Sequence, residues 1–322
     1  MGNFNESVKD NESKLPALSI IVTIVSGARH LIDCLIELSN QDNCGTDMLE
    51  IIVPFDKNNT EIARLKEQFP YVIFHPMSLT VQGDAGKCHE HFDELRATGL
   101  LMATSEIIAI LEDHEKPKSD WCSKMLEVHR HSYAVVGGAV ENGINKAVNW
   151  ATYFFDFGRY QNPVAEGESL FLTDVNVAYK KNALYEVKHT WENGFHEPAV
   201  HGALLERGDI LWLSPEIVVY QNRIDLKLSD VLQERFIWGR YFSGNRFTGI
   251  GLPKRMLYCL LSIAVPGIIL LKMTKNAIKK KRQLGVFVKV LPLTILMSIF
   301  WFFGEFTGYF TGRASSFTNT DR

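Results

Sequence analysis

Short apolar, β-branched runs alternate with amphipathic stretches through the first part of the chain. Residues 18–25, 49–53, 71–74 and 107–111 are near-continuous hydrophobic segments, the pattern of strands buried on both faces. Between them, 30–39, 60–68 and 87–103 have helical period and length. This alternation predicts an α/β fold with a right-handed, mostly parallel sheet covered by helices on both sides, whose ligands gather beyond the carboxyl ends of the strands. A helix at 120–131, strands at 134–140 and 171–178, a helix at 199–207, strands at 210–213 and 217–220, and a helix at 228–247 complete the pattern. Residues 142–168 mix aromatic and polar positions without a clear period, as a long functional loop or substrate lid would.

Farther on the pattern changes. Residues 256–271 are uncharged and interrupted by Pro266-Gly267; at 1.5 Å per residue they reach only ~24 Å against a ~30 Å hydrocarbon core. Residues 286–303 contain Lys289 as their one charge and continue through Gly304, Gly308 and Gly312, a small-residue ladder suited to close helix packing, with Glu305 inside it in need of a polar partner. The stretch between, 272–282, carries six positive charges and belongs on the cytosolic side by the positive-inside rule. A two-span hairpin on a cytosolic domain would export it, so the first segment is expected to be re-entrant or interfacial, with the basic loop on anionic headgroups. Two buried helices of a soluble domain are the alternative.

The 322 residues suffice for about two domains, and 46% apolar with 22% charged residues excludes general disorder. From residue 253 onward eleven Lys and Arg face two acidic residues, whereas the first 252 residues carry 23 basic against 35 acidic. This asymmetry argues against a nucleic-acid partner for the front and for anionic membrane lipid at the back. Five cysteines with no CxxC or zinc spacing point to a reducing compartment, and residues 1–16 lack a basic-then-apolar leader. The expected organisation is a loose arm at 1–16, an enzymatic domain at 17–252 on the cytoplasmic face, and a membrane-associated segment at 253–322.

The strand at 107–111 runs into Glu112-Asp113-His114, potential metal or ribose ligands at a strand's carboxyl end. Carboxylate and imidazole suit Mn²⁺ or Mg²⁺ bridging a diphosphate. Lys87 in the segment 83–87 lacks the spacing of a phosphate loop, and the pairs His89/His91 and His129/His131 lack the i, i+4 spacing of a helical metal site and read as surface residues.

The segments LSIIVTIVSGARHLIDCLIEL (18–38), EIIVPFD (50–56) and LRATGLLMATSEIIAILEDHEKPKSDW (95–121) together resemble the nucleotide-sugar domain of family-2 glycosyltransferases of the GT-A fold. The resemblance implies that Glu112, Asp113 and His114 hold metal and donor ribose, which of the three touches metal being left open. It implies that Asp56, Thr23 and Ser26 lie beside the donor base, that Arg96, three residues before Gly99, belongs to the donor site, and that Asp174 and Asn176 line the acceptor side. It also implies a catalytic carboxylate at Glu197, with Glu192 competing, and places Arg235, Trp238 and Arg240 over the donor diphosphate. Glu197 opens a helix with Pro198 in its first turn, and His201, four residues on, shares its face. One base taking the acceptor hydroxyl proton is enough for inverting transfer. The expectation is a metal-dependent, inverting hexosyltransferase using a UDP- or GDP-sugar and a lipid, lipid-linked or glycan acceptor. The alternatives are a nucleotidyltransferase-like enzyme and an inactive membrane scaffold.

Overall fold

A computed structural model describes residues 15–80, 89–246 and 250–312. The phosphate-loop candidate at 83–87 lies outside them, as does all of the N-terminal arm except Leu15 and Pro16. The chain opens with β1 (Leu18–Thr23), α1 (Ala28–Ser39), β2 (Leu49–Asp56), α2 (Thr60–Gln68), β3 (Val72–Met77), α3 (His89–Met102) and β4 (Ile107–Glu112). Their strands are parallel in the order β3-β2-β1-β4. Alternation explains the unbroken apolar runs: Ile20, Val22, Ile51 and Val53 pack with Leu31, Leu35 and Ile62 on one face, while Ile21, Ile52, Ile108 and Ile110 pack with Leu100 on the other. Thr23 pairs with Glu112, so the carboxyl ends of β1 and β4 are level.

The sheet continues through β5 (Glu115–Pro117), α4 (Trp121–Val128), β6 (Val135–Asn142), α5 (Ala147–Asp156), β7 (Gly167–Glu168), β8 (Val177–Lys180), α6 (Lys181–Glu186), α7 (Glu197–Glu206), β9 (Leu211–Gln221) and α8 (Leu228–Arg246). Beyond β4 the order is β8-β6-β9-β5, with β7 also on β9; β8 is antiparallel to β4 and β6, whereas β6 and β9 are parallel. The two strands expected at 210–213 and 217–220 are one, because a register shift opposite Gly138 and Ala139 absorbs the interruption. Of the strand expected at 171–178, only its end forms one, in β8.

The expected loop at 142–168 contains α5. Its aromatic positions are packing positions: Tyr153 and Phe154 are buried, Phe154 meets Phe287 edge-on at 5.2 Å, and Phe155 faces Trp301 at 6.0 Å. Two of the histidines read as surface residues, His91 and His129, are buried. Burial, followed by the charge of Lys180, pushes His129 down to about 3.

The tail forms α9 (Leu252–Ser262), α10 (Val265–Lys280) and α11 (Leu284–Thr311). Helices α9 and α10 meet at a 50° bend, and α11 is long and apolar enough to cross a membrane. The expected basic loop is helical as far as Lys280, since lysine is a good helix former; the turn itself is confined to 281–283, with Lys281 and Gln283 at positive φ. One face of α11 exposes Val288, Ile295, Ile299, Phe303, Phe306 and Phe310, and the other buries Val290, Met297, Gly304 and Gly308. Gly304 and Gly308 allow α8 to touch α11 backbone to backbone: a Cβ on Gly304 would stand 2.1 Å from the Phe236 carbonyl, and one on Gly239 would stand 2.4 Å from that of Trp301. Glu305 finds its polar partner in the indole N–H of Trp301, which donates to it at 2.8 Å.

Candidate functional site

At the end of β4 successive side chains point to opposite sides, and this separates the roles of the Glu-Asp-His run. Asp113 is fully buried and turns inward, accepting hydrogen bonds from the backbone N–H of Ser26 (2.8 Å) and Gly27 (2.6 Å). It thereby fixes the turn from β1 to α1, where Gly27 has φ 103°. His114 Nδ1 lies 3.0 Å from Ser26 Oγ and 3.2 Å from Asp113, which leaves Nε2 facing Glu112 at 3.3 Å and Glu115 at 3.7 Å. One ligand atom from each of Glu112, His114 and Glu115 falls within a sphere where all lie within 4.8 Å of one another. The metal-capable set therefore contains Glu115 in place of Asp113, and Asp113 and Ser26 orient the imidazole. Two carboxylates and an imidazole suit Mn²⁺ or Mg²⁺. Burial raises both carboxyls, that of Glu112 against the pull of His114 and Arg96, and that of Glu115 further, with Glu112 adding to it.

Arg96 on α3 joins this cluster to the other side of the site. Its buried guanidinium lies 2.8 Å from Glu112, 2.9 Å from Asp174 and 3.5 Å from Asp93. Burial would lower its pKa, but Asp174, Glu112 and Asp93 together hold it above the ordinary value. Gly99, one turn on, has a structural reason: a Cβ there would stand 2.4 Å from Ile21 of β1. Asp93 accepts from the Tyr241 hydroxyl at 3.0 Å, and burial pushes it up to about 7 despite Arg96.

Opposite Glu112, the backbone N–H of Asp174 donates to Glu197 Oε2 at 3.2 Å. Glu197 begins α7, and its other oxygen lies 3.4 Å from His201 Nδ1; His201 Nε2 is 2.8 Å from the Tyr179 hydroxyl. Burial raises Glu197, with the His201 hydrogen bond opposing. Burial also raises Tyr179 well above its ordinary value, so its hydroxyl stays protonated. Glu192 stands apart from this group, half-exposed and 3.7 Å from Lys188.

Several expected site residues have bonds within the scaffold. Asn176 is fully buried, accepting from the Trp121 indole at 2.8 Å and donating to the carbonyls of Ala139 and Ile217, so it staples strands and does not face a sugar. Thr23 is buried and its carbonyl accepts from Asp113 N at 2.9 Å. Asp56 caps its own turn through Asn58 N at 3.0 Å. Arg235 is fully buried in a two-pronged pair with Asp156, beneath Trp238 at 4.4 Å from its ring, so its fork is occupied within the protein. The backbone of Arg240 lies against Gly304 and Gly308.

A cleft of about 280 Å³ joins these parts, walled by Glu112, His114, Asp174, Gln221, Arg223 and Trp238 among others. Arg223, paired with Glu234 at 3.1 Å, is a cation on that wall; burial opposes its charge, and Glu234 holds its pKa above the ordinary value. Sequence reasoning missed Asp93, Glu115, Gln221 and Arg223. Asp93 lies one helical turn before Arg96, and Gln221 and Arg223 stand at the carboxyl end of a strand, signals that were present in the chain.

No protein-family model matches the chain, and no curated protein does. Among solved structures, it is similar to a mannosyltransferase from Pyrobaculum calidifontis in complex with GDP-Man and Mn²⁺, with 14% identity over 91% of this chain and 87% of that one and a TM-score of 0.52. A second, TarS of S. aureus, aligns with 10% identity over 69% of this chain and 39% of that one, with a TM-score of 0.43. The first of these likenesses is one of fold.

Proposed function

We propose that the chain is a membrane-attached, metal-dependent, inverting glycosyltransferase that moves a hexose from a UDP- or GDP-sugar to a lipid, lipid-linked or glycan acceptor. The observation that carries this reading is a chain of contacts: Arg96 is bonded both to Glu112 of the metal-capable cluster and to Asp174, two residues of the cleft wall, and the Asp174 backbone N–H donates to Glu197. The shared fold with a protein that holds GDP-Man and Mn²⁺ supports it.

A Mn²⁺ or Mg²⁺ held by Glu112, His114 and Glu115 would neutralise charge on the donor diphosphate. Arg223, held on the cleft wall in a two-pronged pair with Glu234, presents its guanidinium where the negative charge of a leaving nucleoside diphosphate would develop. Glu197 takes the proton of the acceptor hydroxyl as that oxygen bonds to the anomeric carbon, and the bond from that carbon to the diphosphate oxygen breaks on the opposite face, which inverts the centre. With Tyr179 donating to His201 Nε2, the imidazole proton would sit on Nδ1, 3.4 Å from Glu197, where it would hold the carboxylate in place. Arg96 keeps Glu112 and Asp174 in register across the cleft.

The enzymatic unit is residues 17–252, and 253–322 attach it. The apolar face of α11, the bent pair α9 and α10, and the lysines of α10 fit a cytoplasmic domain seated on anionic lipid. Thermal unfolding of the detergent-solubilised chain against UDP- and GDP-sugars, with Mn²⁺, Mg²⁺ or chelator, tests the reading. A metal-dependent rise in Tm with one nucleotide class, and release of nucleoside diphosphate, are expected. Release of pyrophosphate would make the chain a nucleotidyltransferase, and no shift with any donor would make it a scaffold.

A further inference from the structure

A second cavity of about 640 Å³ lies beside the cleft and shares Phe155, Asp156 and Trp301 with it. Its far wall is the tail: Tyr258 and Leu261 of α9, Val265, Ile268 and Met273 of α10, and Tyr309 of α11. Along these mostly apolar walls, to which Ser262, Asn276 and the two tyrosines add polar groups, an apolar chain gains by burial.

The polar groups of the cavity are unevenly spent. Asp156 is held by Arg235, and Glu305 accepts from Trp301. Arg159 and Lys272, both exposed at the lining, make no ion pair with any acidic side chain among the described residues; Arg159 rests over the rings of Tyr160 (4.8 Å) and Phe171 (5.4 Å). An apolar cavity with two uncommitted cations at its edge is complementary to one kind of molecule, an apolar chain ending in a compact anion. The break between α9 and α10 gives such a chain a way in from the side, since Leu261, Ile263 and Leu271 around it are exposed.

We propose that this cavity binds the tail of a single-chain lipid phosphate, with the phosphate at Arg159 and Lys272 and the head group passing Phe155 and Trp301 into the cleft. The inference rests on the sugar-transfer reading only in calling that lipid the acceptor; the binding site stands by itself.

The test is photolabelling of the full chain in detergent with a benzophenone-bearing farnesyl phosphate. Labelled peptides are expected from α9, α10 or α11, with protection by unlabelled farnesyl phosphate and none by farnesol or inorganic phosphate. Ser262→Trp, which fills the cavity from a buried position, should abolish labelling. The double variant Arg159→Gln/Lys272→Gln, at exposed positions, should weaken protection by farnesyl phosphate about tenfold or more while Tm stays near that of the parent. Label scattered over the surface, or undiminished in both variants, overturns the proposal, and so does equal protection by farnesol. Labelling that behaves as expected in a chain that turns over no sugar donor would sink the transferase reading and leave the lipid site.

Discussion

The carboxylate of Asp113 accepts the backbone N–H of Ser26, 87 residues earlier in the chain, at 2.8 Å. The middle residue of the Glu-Asp-His run is thus a tie between β4 and the turn after β1, and its neighbours on either side face the cleft. Asp113→Ala leaves two half-buried N–H groups without their acceptor and should cost roughly 1–3 kcal/mol of stability, read as a fall in Tm. Glu112→Gln and His114→Ala should keep Tm near that of the parent and lose the Mn²⁺-dependent rise. A stable Asp113→Ala chain would contradict the assignment.

Glu197→Gln should lower turnover by about 10²–10⁴-fold with little change in donor binding. Because burial raises Glu197, its ionised form is the disfavoured one in the fold, and kcat/KM should fall with acid through a pKa above the ordinary glutamate range. His201→Phe removes the opposing hydrogen bond and should move that limb to still higher pH. A pH–rate profile of the two variants and the parent checks this.

His129 is depressed to about 3 from 6.5. As pH drops below 6.5 the unfolded chain takes up a proton that the folded chain refuses, so its contribution to stability is present above 6.5 and is lost progressively down to about pH 3. The loss approaches about 1.4 kcal/mol per pH unit in that window. His129→Gln should flatten the acid limb of Tm against pH, and an unchanged limb would assign the acid sensitivity elsewhere.

Gly304→Leu should separate α8 from α11, since even its Cβ would collide with the Phe236 carbonyl. A loss of at least about 1–3 kcal/mol, or failure to fold, is expected, against near-neutrality for Gly285→Ala, which meets nothing. Thermal unfolding in detergent distinguishes them.

Replacing Lys275, Lys279 and Lys281 together by Gln should weaken adhesion to phosphatidylserine vesicles by about 1 kcal/mol per charge, with the difference from the parent shrinking at high salt. Vesicle co-sedimentation across a salt series reads it.

The parallel half of the sheet was legible because strands buried on both faces leave continuous apolar runs, and α2 occupies the predicted residues 60–68. Helix α5 was missed inside a stretch of mixed aromatic and polar residues; it packs against the sheet core and Phe287 of α11, partners distant in the chain. In the site, the strand-end position of Glu112 and His114 and the helix start at Glu197 followed from local rules. The inward turn of Asp113, the commitment of Arg235 to Asp156 and the stapling by Asn176 did not, since each depends on partners more than thirty residues away.

The backbone contact of α8 with α11 has one more consequence. Trp238 walls the cleft from α8, and Gly239 beside it touches α11, so the cleft and the apolar helix form a single lever with no hinge between them. With α11 in a bilayer, as proposed above, membrane thickness would become a setting of the cleft: a membrane that tilts α11 would tilt the cleft with it, and would change the altitude at which an acceptor must present its hydroxyl.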